Sequence, residues 1–192
     1  VESVSLSTYQ FLKYKGEDEK KTRMIEEVLI SVSPQKIESG EKGKEMGLLS
    51  VEATLFARDL VNEPSSLTTP TFLANTAKEI SKSSKGIIKV EILEKDEVKK
   101  LGMNSFLGVS QGSDEPPKFI LLSYKSPKPK KKIVLIGKGI TFDTGGLSLK
   151  SADHMETMKL DMAGAAAVIS VFKVLARMKV EADVVGIVAA CE

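Results

Sequence analysis

Two lysines and two aspartates stand among glycines in one short stretch of the chain, between an apolar segment and an alanine-rich one. They are Lys138, Asp143, Lys150 and Asp161. Loops that follow the strands of open α/β sheets often carry catalytic groups. Two carboxylates that are brought together repel each other unless a cation or a lysine lies between them. A divalent metal would relieve that repulsion, and its charge would favour the neutral amine of a nearby lysine.

The spacing alone leaves other interpretations open. The same four residues could form a solvent-facing turn with ordinary ion pairs. A phosphate-binding loop is a further interpretation, but the sequences G-x-x-x-x-G-K-[ST] and G-x-G-x-x-G are both absent. The sequence contains one His and one Cys, which excludes a tetrahedral Cys/His zinc site within this chain. A bound metal would therefore be held mainly by oxygen ligands or by a less usual donor.

The elements that must position these residues alternate between strand and helix from residue 70 onward. Apolar patterns predict strands over 87–93, 119–124, 133–136 and 184–190, and helices over 41–60, 70–80, 96–101 and 164–178. This alternation predicts an α/β fold with a mostly parallel sheet flanked by helices. It places Lys138 just after a strand that ends at Ile136, and Asp161 at the start of a helix, where a carboxylate is favoured.

Residues 1–35 do not share that alternation. Their patterns predict a helix over 4–14 and a strand over Met24–Ser33, followed by the long helix. We therefore expect this part to be the end of a preceding domain together with a linker, and residues 36–192 to begin a separate α/β domain. The chain starts at Val1 and stops directly after an apolar strand, so we expect it to be a piece of a longer protein.

The overall composition excludes several classes of protein. Hydrophobic residues make up 42% and charged residues 28%, with a formal net charge of +2. Near-neutral charge gives no global reason to expect nucleic acid or an anionic membrane as a partner. No apolar run is long enough to cross a bilayer, and no signal peptide opens the chain. The single cysteine, Cys191, excludes an internal disulfide and indicates a reducing compartment.

Several segments together resemble the leucyl aminopeptidase family, the two-metal enzymes that remove N-terminal residues from peptides. Gly137–Lys150 is similar to the first metal-binding segment of that family, and Met155–Ala166 resembles the second. The likeness extends to the entry of the catalytic domain, to the end of the N-terminal domain and to a loop start, at Ala57–Pro64, Phe11–Lys15 and Cys191–Glu192. It thus spans nearly the whole chain, and it implies that residues 36–192 are the first part of a metallo-aminopeptidase catalytic domain.

The resemblance implies a role for each of the four residues. Lys138 would bind one metal through its amine, Asp143 would bridge two metals, and Asp161 would complete the shell of the first. Lys150 would be the catalytic lysine, outside the metal shell, that polarises the scissile carbonyl. The two divalent ions, Mn²⁺ or Zn²⁺, would activate the water that releases the N-terminal amino acid.

The same resemblance carries wider expectations. The parent protein would be a cytoplasmic homo-oligomer, a hexamer, that acts on peptide substrates without membrane or nucleic acid. In the family, a later Asn-Thr-Asp-Ala-Glu-Gly-Arg segment gives two more carboxylate ligands and an arginine. That segment is not within these 192 residues. We therefore expect the chain alone to be inactive. A non-catalytic DNA-binding or regulatory protein on the same scaffold is the alternative.

Other conspicuous residues favour structural roles. Lys125–Lys132 contains five lysines in eight residues, which indicates a solvated loop between two strands more than a nucleic-acid patch. His154 is interpreted as a surface residue, and Cys191 as a packed thiol at a strand end. Asp59 and Glu63, four residues apart, are interpreted as helix-surface or capping groups.

Overall fold

The structure, a computed structural model, describes residues 1–20 and 25–192. Eight helices are assigned in those residues: α1 Glu2–Ser7, α2 Glu17–Lys20, α3 Ile37–Asn62, α4 Pro70–Ser83, α5 Lys95–Lys100, α6 Asn104–Val109, α7 Ala152–Met155 and α8 Ala163–Met178. The strands of the same residues are β1 Ile88–Leu93, β2 Lys118–Tyr124, β3 Lys131–Ile140 and β4 Ala182–Cys191. Short 3-10 turns lie at Pro34–Lys36, Ser110–Gly112 and Met158–Leu160.

The four strands form one sheet in the order β1-β2-β4-β3. The β1–β2 and β2–β4 pairs are antiparallel, whereas β3 and β4 run parallel with Lys138 opposite Ala189 and Ile140 opposite Cys191. The predicted α/β fold with helices flanking the sheet is confirmed. The sheet, predicted to be mostly parallel, is mixed, and among the described strands only β3 and β4 pair in parallel. That parallel pair is the part that matters for the site, because its crossover segment contains Asp143, Lys150 and Asp161.

Helix α4 begins at the predicted residue, and the ends of α5 and α8 have recognisable local causes. The hydroxyl of Thr69 accepts a hydrogen bond from the backbone N–H of Phe72 at 3.2 Å, and Pro70 occupies the first turn of α4. Helix α5 starts with a reciprocal capping box between Glu94 and Glu97. Helix α8 ends where Lys179 takes a left-handed conformation with φ of 51°.

The core lies between one face of the sheet and helices α4 and α8, with α3 packed on the outside of α8. Phe172 of α8 is fully buried, and its ring sits against Gly186 of β4, where a Cβ atom would come within 2.5 Å of the ring. Leu73 of α4 and Ile120 of β2 are also fully buried. This packing fixes α8 across the parallel pair, so the N-terminal end of α8 lies over the end of β3.

Two glycines allow β3 and α8 to touch backbone to backbone. A Cβ atom on Gly137 of β3 would lie 2.5 Å from the carbonyl oxygen of Gly164 in α8. A Cβ atom on Gly164 would in turn lie 2.9 Å from the backbone nitrogen of Lys138. Both distances are shorter than any real Cβ contact, so neither position has room for a side chain. The contact places the start of α8 beside Lys138.

Three predictions about element bounds are wrong in the described residues. The helix predicted over 4–14 ends at Ser7, because the hydroxyls of Ser7 and Thr8 bond to the carbonyl of Val4 and compete with the helical bonds. Residues 25–33 form no strand, since their alternating apolar residues have no strand to pair with; Met24 lies outside the described residues. The strand predicted to end at Ile136 continues through Ile140.

The N-terminal residues pack on α3 through specific bonds. Arg58 donates a hydrogen bond to the carbonyl of Leu6 at 2.8 Å, and the Tyr9 hydroxyl donates to Asp59 at 2.8 Å. The proposed division at residue 35/36 stays a prediction. None of the helices in the described ranges is long and apolar enough to cross a membrane.

We expect Gly137→Ala in the intact parent protein to destabilise the fold by about 1–3 kcal/mol, because the new methyl group overlaps the backbone of α8. Gly43→Ala is the matched control. It lies in α3 with no atom within 4 Å of its would-be Cβ, so it should be neutral or stabilise by up to about 1 kcal/mol. Urea denaturation compares the two, and equal midpoints would show that the β3–α8 contact tolerates a side chain.

Candidate functional site

The four residues singled out in the sequence lie near the carboxyl end of β3. Lys138 is the third residue from the end of that strand, and Asp143 and Lys150 lie in the loop that follows it. Asp161 lies in the turn that joins a 3-10 segment to α8. They form two ion pairs, Lys138 with Asp161 and Lys150 with Asp143.

The first pair depends on the glycine contact described above. The Lys138 Nζ and the Asp161 Oδ2 are 2.7 Å apart, and the side chains are 57% and 20% exposed, respectively. The contact has the length of an ion pair but not the alignment of a hydrogen bond. Oδ2 of Asp161 is consequently a buried carboxylate oxygen that accepts no hydrogen bond from the described residues. A buried oxygen of this kind is costly unless a cation faces it.

The second pair is built by a tight loop. Gly145 takes φ of +90°, and its backbone N–H donates to Asp143 Oδ1 at 2.9 Å. The Lys150 ammonium lies 2.6 Å from Asp143 Oδ2 and donates to the Asp143 carbonyl at 3.1 Å. The hydrogen bond from Lys150 and the N–H of Gly145 lower the pKa of Asp143 below its usual value. The carboxylate is therefore ionised at neutral pH, with both oxygens oriented.

The two ion pairs belong to one electrostatic cluster. The charge of Lys138 contributes to the lowered pKa of Asp143, although Lys138 is paired with Asp161. Burial raises the pKa of the Cys191 thiol at the end of β4. The charge of Lys138 lowers that pKa, and the charges of Asp143 and Asp161 raise it. Both ion pairs therefore lie beside the carboxyl end of β3.

These donors fit a divalent cation. Two carboxylates, one of them with a buried oxygen that lacks a hydrogen bond, are the hard oxygen ligands that such ions take. Lys138 adds an amine that can ligate once it has lost its proton. Among residues 1–20 and 25–192 there is no cluster of three or more His, Cys, Asp or Glu suited to a metal. Lys138, Asp143 and Asp161 would therefore supply only part of a coordination shell.

The site geometry differs from the sequence-based expectation in two places. Lys138 lies within β3 and not after it, because Gly137–Ile140 continue the pairing with β4. Asp161 precedes the first residue of α8 by two positions and closes a 3-10 turn, so it is not a residue of the first helical turn. The long Lys138 side chain and the short approach of α8 bring the two together in spite of these shifts.

The other residues singled out in the sequence make contacts that structural roles alone explain. His154 is exposed, and its Nδ1 is 2.8 Å from the hydroxyl oxygen of Ser151. In the lysine-rich loop, Lys125 pairs with Asp183 at 2.7 Å and Lys130 pairs with Glu181. Glu63 differs from the interpretation as a surface group, because it is only 8% exposed and accepts hydrogen bonds from Lys13 and Tyr14.

Two polar contacts near the site were not anticipated from the sequence. The buried Thr141 hydroxyl donates to Glu192 at 3.0 Å and thereby joins the ends of β3 and β4. Lys159 donates to the backbone carbonyl of Asn62, at the C-terminal end of α3, at 2.8 Å. The position of Lys159, two residues before the candidate ligand Asp161, could have drawn attention to it. Its partner could not have been predicted, because that partner is a backbone atom 97 residues away in the chain.

Comparisons with known proteins agree with this geometry. Residues 55–192 match the model of the cytosol aminopeptidase family, catalytic domain. A probable cytosol aminopeptidase of Alkaliphilus oremlandii is 43% identical over 194 aligned residues, and one of Persephonella marina is 42% identical over 192. Each alignment covers all of this chain and 38% of the relative. The chain thus spans about two fifths of the length of these curated relatives.

A solved structure has the same fold over the full chain. The bottromycin maturation enzyme BotP, in complex with Mn, superposes with a TM-score of 0.84 at 32% sequence identity. The match covers 100% of this chain and 38% of BotP. A second BotP structure gives a TM-score of 0.81 over the same share.

We expect Cys191 to be unreactive in the folded protein. Burial raises the pKa of its thiol to about 11, so at pH 8 its thiolate fraction is about a hundredfold below that of an ordinary thiol. Alkylation by iodoacetamide, followed by mass spectrometry, should be slow in buffer and fast in guanidinium chloride. Equal rates in the two conditions would contradict the buried placement.

Proposed function

The chain belongs to the cytosol aminopeptidase family, and from that premise we propose that the whole protein is a metal-dependent aminopeptidase that releases N-terminal amino acids from peptides. The observation that carries the proposal is the pairing of Lys138 with Asp161 and of Lys150 with Asp143 beside one end of β3. All four residues lie within the region that matches the catalytic domain.

Lys138, Asp143 and Asp161 would hold two divalent ions, Mn²⁺ or Zn²⁺, together with donors from the rest of the whole protein. The bound ions would supply an activated water and positive charge at the scissile carbonyl. Asp143 is suited to the bridging position, because the Gly145 N–H and the Lys150 ammonium fix its two carboxylate oxygens separately. Asp161 would offer its buried Oδ2, and Lys138 would offer its amine after losing a proton.

Lys150 would act on the substrate without entering the metal shell. An ammonium has three N–H donors. In the described residues, the ammonium donates one hydrogen bond to the Asp143 backbone carbonyl and forms an ion pair with the Asp143 carboxylate. A remaining N–H would donate to the carbonyl oxygen of the scissile peptide and stabilise the negative charge that develops there. The two contacts to Asp143 would hold the amine in place during that step.

The wider properties of the whole protein are proposals of the same kind. Peptides would be its substrates, and a homo-hexamer its assembly, as the family resemblance implies. A cytoplasmic location agrees with the description of the relatives as cytosol aminopeptidases. We further propose that residues 1–192 alone are inactive, because three donors cannot complete two coordination shells.

The second candidate is a non-catalytic DNA-binding or regulatory protein on the same scaffold. Its basis is the lysine-rich loop 125–132, which leads into the start of β3. The six-residue step along β3 from Lys132 to Lys138 separates that loop from the candidate site by about 20 Å. Two of the loop lysines are already paired with Glu181 and Asp183. No observation in the described residues favours this candidate over the catalytic one.

We expect the whole protein to hydrolyse aminoacyl amides or short peptides only with divalent metal present. Exhaustive chelation should abolish turnover, and Mn²⁺, Zn²⁺ or Co²⁺ should restore it. The isolated chain of residues 1–192 is the matched control and should show no turnover with any metal. Full activity of the whole protein after its metal content is shown to be nil would refute the proposal.

Substitutions should separate the roles of Asp143 and Lys150. Lys150→Ala should reduce kcat by about a hundredfold or more while the protein keeps its metal, because Lys150 is assigned outside the shell. Asp143→Ala should lose metal as well as rate, since Asp143 is assigned to the metal shell and the described residues offer no other cluster of three or more His, Cys, Asp or Glu. Elemental analysis beside kinetics distinguishes the two, and the reverse pattern would exchange the assignments.

A further inference from the structure

Lys159 joins the turn that carries Asp161 to the end of the longest helix. Its ammonium donates to the backbone carbonyl of Asn62 at 2.8 Å, and the side chain is partly buried. Asn62 is the last residue of α3, where the final carbonyls of a helix have no partner within the helix. A cation at that end also interacts favourably with the helix dipole. The bond therefore gives the last carbonyl of α3 a hydrogen-bond partner, and it also holds the 3-10 turn against the end of that helix.

A buried carboxylate, Glu63, directly follows the residue that accepts this bond. Glu63 caps α3 and is bonded by Lys13 and Tyr14 from the N-terminal segment. Burial by itself would raise the pKa of Glu63, but the hydrogen bonds from Lys13 and Tyr14, with the charges of Lys13 and Lys159, lower it below its usual value. Glu63 is thus an anion close to Lys159, and the end of α3 becomes a common anchor for residues 13–14 and 159.

Asp161 lies between two anchored neighbours. On one side, Lys159 is bonded to α3; on the other, Met162 is fully buried in the core. The 3-10 turn Met158–Leu160 is closed by a bond from the Asp161 N–H to the Met158 carbonyl at 3.3 Å. With both flanks held, the backbone of Asp161 is fixed in place, and its carboxylate faces Lys138 at 2.7 Å.

We propose that Lys159 is a positioning residue for Asp161: by holding the 3-10 turn against the C-terminal end of α3, it orients the carboxylate toward the candidate metal site. The proposal rests on the metal-dependent function proposed above. Lys159 touches neither substrate nor the reacting atoms, and its effect passes through the turn. Residues that orient a metal ligand in this way commonly alter metal affinity by about tenfold to about a hundredfold when they are replaced.

The test compares Lys159→Met with Lys159→Arg and Lys42→Met in the whole protein. Methionine keeps the unbranched stem but cannot donate, arginine can still reach the carbonyl, and Lys42 is an exposed lysine paired with Glu38 on α3. The free Mn²⁺ signal in electron paramagnetic resonance measures metal affinity without reference to activity. Lys159→Met should weaken Mn²⁺ binding by about tenfold to about a hundredfold, whereas Lys159→Arg should recover most of the affinity and Lys42→Met should match wild type.

Two further readouts separate positioning from general damage. Hydrogen exchange of the amides at 158–163 in metal-free protein should accelerate in Lys159→Met alone. The kcat of that variant should approach wild type at saturating Mn²⁺, because the ligand is misdirected and not absent. If Lys159→Met fails to fold, the test compares Lys159→Gln with Lys159→Arg. Glutamine is too short to reach the Asn62 carbonyl, whereas arginine can reach it. Equal Mn²⁺ affinity in that pair would overturn the proposal.

The outcomes distinguish this inference from the proposed function. A wild-type protein that binds Mn²⁺ and needs it for turnover, with Lys159→Met indistinguishable from Lys42→Met in affinity and exchange, overturns only the role of Lys159. A wild-type protein without metal-dependent turnover overturns the proposed function, and the role of Lys159 falls with it.

Discussion

The backbone contact between β3 and α8 is the constraint on which the rest of the site depends. Gly137 and Gly164 meet at distances that leave no space for a Cβ atom on either. Glycine is costly in strands and helices because it loses more conformational freedom on folding than other residues. That cost is offset here by bringing the start of α8 against the strand. Any larger residue would push Asp161 away from Lys138.

The packing of α8 on the sheet holds this contact in place. Phe172 is fully buried against Gly186 of the neighbouring strand, so the middle of the helix is fixed by side-chain packing while its start is fixed by backbone contact. A helix held at two points along its length cannot pivot over the sheet. The site therefore takes its geometry from rigid elements, and only Asp143 and Lys150 lie on a loop. That loop is in turn tightened by the Asp143–Gly145 and Lys150–Thr144 bonds.

The sequence predicted the α/β class and the main helices because each has a local signal, and it singled out four residues that the fold brings into two ion pairs. Thr69–Pro70 marks a helix start. The spaced glycines, lysines and aspartates of Gly137–Lys150 indicate a loop that could carry functional groups. Strand direction has no local signal, so the mixed sheet was not anticipated. The apolar alternation of residues 25–33 was misleading for the same reason, since a strand exists only where another strand pairs with it. The bond from Lys159 to Asn62 joins residues far apart in the chain and can be read only from the fold.

The choice of lysines as partners for the two aspartates has a consequence for assembly of the site. Lys138 and Lys150 each oppose one aspartate, so the formal charges of the four groups cancel. A site made of carboxylates alone would repel itself until a cation arrived, and the chain would have to fold against that repulsion. With one lysine beside each aspartate, the loop, the turn and α8 can reach their final positions before any ion binds. An ion bound at the proposed site would have to displace a proton from Lys138, but it would not have to organise the protein around it. Because of the two lysines, the folded chain holds both aspartates in these positions without a bound ion.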